Sequence, residues 1–219
     1  MSGDKITFKL KEISMKINVM KKFIFALLSI YLFPIYSLAG NEAMFGLNFG
    51  QTPKEIRALG SVLTFKYSKK NFSSYTCTSL PKNFSLAERY ILIFSDDSLV
   101  KITMIGNTIS KDIYGSDGKE AFINTFELLK NKYSIHLFRT DSGLKLYDEP
   151  DEFYQCLAYD GCGLYAAILK NDSKTVTLQL KGLERGKGYL IITAEAVPEF
   201  EKALKKEKLT TNKGDLDAF

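Results

Sequence analysis

Two apolar runs, Arg89–Phe94 and Leu99–Ile105, are separated only by Ser95-Asp96-Asp97-Ser98. Four polar residues cannot carry a crossover, so the second run must fold back beside the first as an antiparallel hairpin. A second set follows later. Gly163–Lys170 and Thr175–Lys181 flank Asn171-Asp172-Ser173, and Gly188–Ala194 adds a third strand to that meander. Nowhere do strands and helices alternate as a parallel sheet requires. The pattern predicts an α+β fold with mainly antiparallel sheet, several hairpins and about three helices.

The helices are marked by their ends. Thr52-Pro53-Lys54-Glu55 has a capping residue, a proline at the first helical position and a glutamate that completes a capping box. Ile56 and Leu59 give a small apolar face, and Gly60 ends the segment as a left-handed cap. Ser116 or Asp117 opens a longer helix, with Phe122, Phe126, Leu129 and Tyr133 on one stripe. A third helix is expected from Pro198 to about Lys206, acidic early and basic late. Pro150–Tyr159 is a candidate short helix. Ala43–Phe49 is expected as a first strand or an extended lead-in, and strands are further expected at Val62–Tyr67, Ser74–Thr78 and within Ser134–Tyr147. A helix followed by strands occurs twice, yet the two halves share no sequence repeat.

The first 39 residues have their own logic. Met20-Lys21-Lys22 precedes an apolar run of eleven residues, Phe23–Phe33, and Ser37-Leu38-Ala39 stands before Gly40. This is the order of a signal peptide: basic, apolar, then small-x-small. The run is shorter than the roughly 20 apolar residues a membrane span needs. Removal of residues 1–39 is expected, with Met15 and Met20 as alternative starts. The mature chain then comprises a single domain over 40–209 and a polar tail over 210–219. The destination is the bacterial periplasm, or full secretion, with no stable membrane insertion after cleavage.

Composition narrows the function. Residues 1–39 hold six lysines and two acidic residues, which leaves 24 basic against 23 acidic residues in the remainder. A near-neutral chain lacks the clustered positive charge of a nucleic-acid binder. Cys77, Cys156 and Cys162 are three cysteines in a chain read as exported, which favours one disulfide and one remaining thiol. Cys156–Cys162 is the nearest pair in sequence, and a bond from Cys77 to either is the alternative. One histidine and no CxxC give no zinc spacing, and no metal or cofactor is expected.

Candidate chemistry is sparse. His136 stands alone in Ile135-His136-Leu137-Phe138, without a GxSxG elbow in the chain. Asp96-Asp97 reads as a turn. Asp148-Glu149-Pro150-Asp151-Glu152 lacks calcium-loop spacing and reads as a cap, or as an acidic contact surface. Glu184-Arg185-Gly186-Lys187-Gly188 lets backbone N–H groups approach an anion but lacks the phosphate-loop pattern, and reads as a strand connection. Arg185, Lys187 and Tyr189 are the candidate partner contacts, because Arg and Tyr are enriched where binding energy concentrates. No catalytic residue is assigned.

Phe45-Gly46-Leu47-Asn48-Phe49-Gly50-Gln51-Thr52-Pro53-Lys54-Glu55-Ile56 resembles the opening of many small exported bacterial α+β proteins. Arg89–Ile105 and Phe122–Tyr133 continue the resemblance. Some of those proteins resemble β-lactamase inhibitors or the small outer-membrane assembly lipoproteins, and some are immunity proteins against secreted toxins. This chain lacks the lipoproteins' acylated cysteine and has Gln51 where Met is usual. The resemblance implies a fold and a binding habit, and carries over no catalytic residue. The expectation is an exported, non-enzymatic protein that contacts another protein of the cell envelope, as effector immunity or as an enzyme inhibitor. The alternatives are an envelope-assembly factor and a carboxylate-dependent hydrolase.

Overall fold

The structure is a computed structural model that describes residues 42–143 and 146–197, together with Lys202. The expected leader and tail lie outside the described residues, and so does the expected helix from Pro198 apart from Lys202. The described part belongs to one compact unit, Ala39–Phe219.

Among the described residues nine strands make one antiparallel sheet: β1 Thr64–Lys69, β2 Phe72–Cys77, β3 Ala87–Ser95, β4 Ser98–Gly106, β5 Ile109–Ser110, β6 Ser134–Asp141, β7 Leu164–Lys170, β8 Lys174–Glu184 and β9 Lys187–Ala196. The order across the sheet is β1-β2-β3-β4-β9-β8-β7-β6, and β5 pairs with the far end of β9. Each half is thus a four-strand meander, and the last strand of one pairs with the last strand of the other. Among the described residues the helices with defined bounds are α1 Pro53–Ala58, α2 Ser116–Lys130 and α3 Phe153–Ala158.

Local chemistry explains most of the elements. Thr52 and Glu55 form the expected capping box at α1, and Gly60 follows its C-terminus at φ +93°. The β3–β4 turn holds Asp96 and Asp97 at φ +48° and +62°, as a two-residue hairpin turn of the primed type requires. Asn71 stabilises the strand end at Ser95 through its side chain, and Asn171 Oδ1 accepts from Ser173 and Lys174 N–H in the β7–β8 turn. The strand or extended lead-in expected at Ala43–Phe49 is instead a pair of tight turns. Phe45 and Gly46 take positive φ, and Ala43 N–H donates to the Leu47 carbonyl. The alternation seen in the sequence serves to bury Ala43, Leu47 and Phe49 from a turn rather than from a strand.

The core lies between one face of the sheet and the helices. Tyr90, Leu92 and Phe94 from β3, Met104 from β4, Leu178 from β8 and Ile192 from β9 belong to one buried cluster with Phe122, Phe126 and Leu129 of α2. Rings bind the second half together: Phe122 packs on Tyr165 at 5.7 Å, and Phe153 of α3 packs on Tyr165 at 5.1 Å. Cys156 and Cys162 lie at disulfide distance with Cα atoms 5.1 Å apart, tying α3 to the loop before β7. Cys77 is a buried free thiol, pushed up to about 11 by burial.

Asp112 fixes α2. The helix begins after Gly115, which has no side chain to cap it. Asp112 reaches in instead: its Oδ2 accepts from Gly118 N–H at 2.9 Å and from the Tyr154 hydroxyl at 2.7 Å. Tyr154 itself threads between glycines. A Cβ on Gly188 would stand 2.1 Å from its ring, and one on Gly182 would stand 1.7 Å from its carbonyl oxygen.

Candidate functional site

Because α1, α2 and α3 share one side of the sheet, the other side is open among the described residues. Strand register shows what that face presents. One row crosses all eight strands of the main path: Thr64, Thr76, Ile91, Thr103, Thr193, Thr177, Ile168 and Leu137. None of these is charged, and none belongs to the buried core. At its centre, where β4 meets β9, the Thr103 and Thr193 hydroxyls are 3.3 Å apart.

The flanking rows carry the charges. On one side run Ser74, Ile93, Lys101, Glu195, Thr175 and Lys170, with Lys101 and Glu195 ion-paired. On the other run Arg89, Ile105, Ile191, Gln179, Ala166 and Arg139. Arg89 and Arg139 are held by Glu88 and Asp141. Strand spacing of about 4.8 Å makes the central row about 34 Å long, and the two flanking rows make a band about 14 Å wide. An uncharged middle with charged margins is the anatomy of a protein–protein contact, whose core is depleted in charge and whose rim is polar.

The candidate contacts from the sequence divide here. Tyr189 lies on the open face, paired with Lys181 one row beyond Ile191 and Gln179. Arg185 and Lys187 sit at the β8–β9 turn and are engaged locally, Arg185 with Asp151 and Lys187 with Glu184. The turn is therefore a strand connection, as its glycines suggest. His136 is exposed at an irregularity in β6, between Ile135 and Leu137. Asp148, Glu149 and Pro150 of the acidic run border a 260 Å³ cleft with Lys119 and Tyr147.

Several clefts line the helix side, among them one of 370 Å³ beside α2 between Leu86, Glu120, Asn124 and Leu128. Another of 340 Å³ lies between Leu86, Asn107, Ile109 and Asp117. A third of 250 Å³ lies between Phe45, Phe84, Leu128 and Lys132. Neither of these last two gathers a nucleophile with a base. Beside the third, Lys174 is buried. Its ammonium donates to the carbonyls of Glu42 and Ala43 and stands 5.3 Å over the Tyr133 ring. Burial draws this lysine below the ordinary amine range, the nearby Glu42 opposing and Lys132 adding to the effect. Its contacts pin the chain where the described part begins, which is a structural use of the charge. Among the described residues no three His, Cys, Asp or Glu side chains cluster as a metal site, and no helix is long and apolar enough to cross a membrane.

No protein-family model, curated protein or solved structure matches this chain.

Proposed function

We propose that this chain is an exported, non-enzymatic protein that binds another protein of the cell envelope through the open face of its sheet. Immunity against a secreted effector and inhibition of an envelope enzyme are the forms of that function the fold suits best. The observation that carries the reading is the uncharged row from Thr64 to Leu137, flanked on both sides by charged rows. With its flanking rows it covers roughly 480 Å², somewhat more than half of the ~800 Å² that each partner gives to a standard interface. β-branched side chains fixed by strand geometry lose little rotamer freedom on binding, which lowers the cost of association. The disulfide-distance pair Cys156–Cys162 accords with an oxidising compartment.

The test is affinity capture from the envelope fraction with the processed protein, followed by cross-link mapping. The expected result is a protein cross-linked to open-face positions. Capture should be lost on Thr193→Arg with Thr177→Arg, and kept on Leu128→Arg, an exposed position of α2 on the opposite side. Capture that survives the first change and fails with the second would move the contact to the helix side. Turnover of a glycan or peptide by the purified protein would replace binding with catalysis.

A further inference from the structure

The two edges of the sheet differ. β1 is guarded: it carries Lys66 and Lys69, no acidic residue, and a register shift between Phe65 and Tyr67. Lysines and irregular pairing are the usual protection of an edge strand against a second chain. β6 shares the irregular pairing, between Ile135 and Leu137, but carries no lysine, and the stretch from Leu137 to Asp141 is regularly paired. Among the described residues it has a strand partner on one side only. Ile135 is 53%, Leu137 36% and Phe138 40% exposed. Apolar side chains emerge on both faces: Leu137 beside Ile168 on the open face, and Phe138 on the helix face. Its one arginine and one aspartate, Arg139 and Asp141, pair with each other and leave the strand neutral.

We infer that two copies of this chain join through their β6 edges, running antiparallel about a two-fold axis at Phe138. Charge selects the edge. β1 against β1 would bring two strands that carry only positive charge, from Lys66 and Lys69, side by side, and β1 against β6 would propagate head to tail without closing. β6 against β6 brings together two neutral strands and closes as a dimer. Side chains select the register, since residues opposite each other must share a face. An axis at Arg139 would set like charges opposite each other. An axis at Thr140 would carry Phe138 past the strand to Ser142. An axis at Phe138 sets the two Phe138 rings together and each Leu137 against the aliphatic stem of Arg139 of the second copy. Phe138 already packs 4.5 Å from Phe126 and 6.0 Å from Phe122, so the second ring extends an existing aromatic cluster. The outward N–H and C=O groups of β6 gain partners, and the open faces of the two copies become continuous. This inference stands apart from the identity of any envelope partner.

Sedimentation velocity on the processed, disulfide-intact protein tests it. The expected result is a monomer–dimer equilibrium with nothing larger. Leu137→Lys should weaken it at least tenfold without changing the circular dichroism spectrum, because Leu137 is outside the buried core. Tyr67→Lys, on the other edge, should leave it unchanged. Phe138→Cys should give a disulfide-linked dimer on a non-reducing gel, since Cys77 is buried and cannot compete. A monomer at ~100 μM, well above the range of useful affinities, would overturn the inference. So would a dimer indifferent to Leu137→Lys, or a ladder of higher species.

Discussion

Removing one hydroxyl tests how α2 is held. In Tyr154→Phe the ring keeps its place among Gly118, Gly182 and Gly188, and only the donation to Asp112 Oδ2 at 2.7 Å is lost. Both residues are buried, Tyr154 at 0% and Asp112 at 6% exposure. A hydrogen bond to a charged acceptor contributes about 1.5–3 kcal/mol. Asp112 retains Gly118 N–H, so a cost of ~2 kcal/mol at neutral pH is expected. For a chain of this size that lowers Tm by about 4–8 °C. The pH dependence follows from the carboxyl's environment. Burial alone pushes Asp112 up, but Gly118 N–H, the Tyr154 hydroxyl and the N–H groups of Asp117 and Ser116 together hold it below its ordinary value. Such a group contributes stability above its unfolded pKa, about 3.9, and loses it as pH falls through the lower folded value. The deficit of Tyr154→Phe is therefore full at neutral pH. It shrinks below about pH 4 toward the ~1 kcal/mol of a neutral hydrogen bond. Urea unfolding without reductant, in wild type, Tyr154→Phe, Asp112→Asn and the double variant, measures this. A neutral-pH deficit under ~0.5 kcal/mol, or one that grows in acid, would refute the account of α2 capping.

Gly182→Ala should cost about 3 kcal/mol or more, because its Cβ would meet the Tyr154 carbonyl oxygen at 1.7 Å and backbone cannot swing aside. Gly50→Ala, at φ +86° with nothing within 4 Å, should cost only about 1–2 kcal/mol, so equal losses in denaturant would count against the packing described here. Replacing Cys156 and Cys162 together by serine should cost ~2 kcal/mol, the chain-entropy value for so short a loop. Intact protein should resist alkylation until unfolded and then gain one label, on Cys77; three labels without reductant would contradict the disulfide. Thr52→Ala should cost about 1 kcal/mol in thermal unfolding, with Thr52→Ser largely restoring it.

The elements were legible where a local rule determines them. The box at Thr52 and Glu55 and the Asp96-Asp97 turn appear as expected. Phe122, Phe126 and Leu129 form the buried stripe of α2, whereas Tyr133, the fourth residue read into that stripe, lies beyond the helix end at Lys130. Strand ends slipped where polar side chains meet the pleat. Val62 reads as strand, yet β1 starts at Thr64, and Val62 is 79% exposed. Ala43–Phe49 misled because period-two alternation is also produced by a turn that buries every second side chain. The cap of α2 was not visible at all. Sequence rules look for the cap next to the helix, and there stands Gly115. Asp112 acts from three residues further back, and it takes Tyr154, 42 positions away, to complete the site.

The open face was hidden for a different reason. Within β8 the pattern is ordinary: Val176, Leu178 and Leu180 point inward, and Thr175, Thr177 and Gln179 point out. Read alone, those outward residues are a solvated strand face. Register turns them into a surface, by placing Thr177 beside Thr193, Thr193 beside Thr103 and Thr103 beside Ile91. The decisive pairing is β4 with β9, which no hairpin links. Each half ends its meander on a strand that would otherwise be an edge, with its backbone groups unpaired. Joining the two ends satisfies both and puts the Thr103–Thr193 contact at the middle of the row. The sequence halves do not repeat, but their topologies do, and backbone pairing at that seam demands only matched strand lengths, not matched residues. Side chains on the core face must also fit the helices, which constrains Met104 and Ile192. Thr103 and Thr193 face away from that constraint, so packing against the helices does not dictate their chemistry.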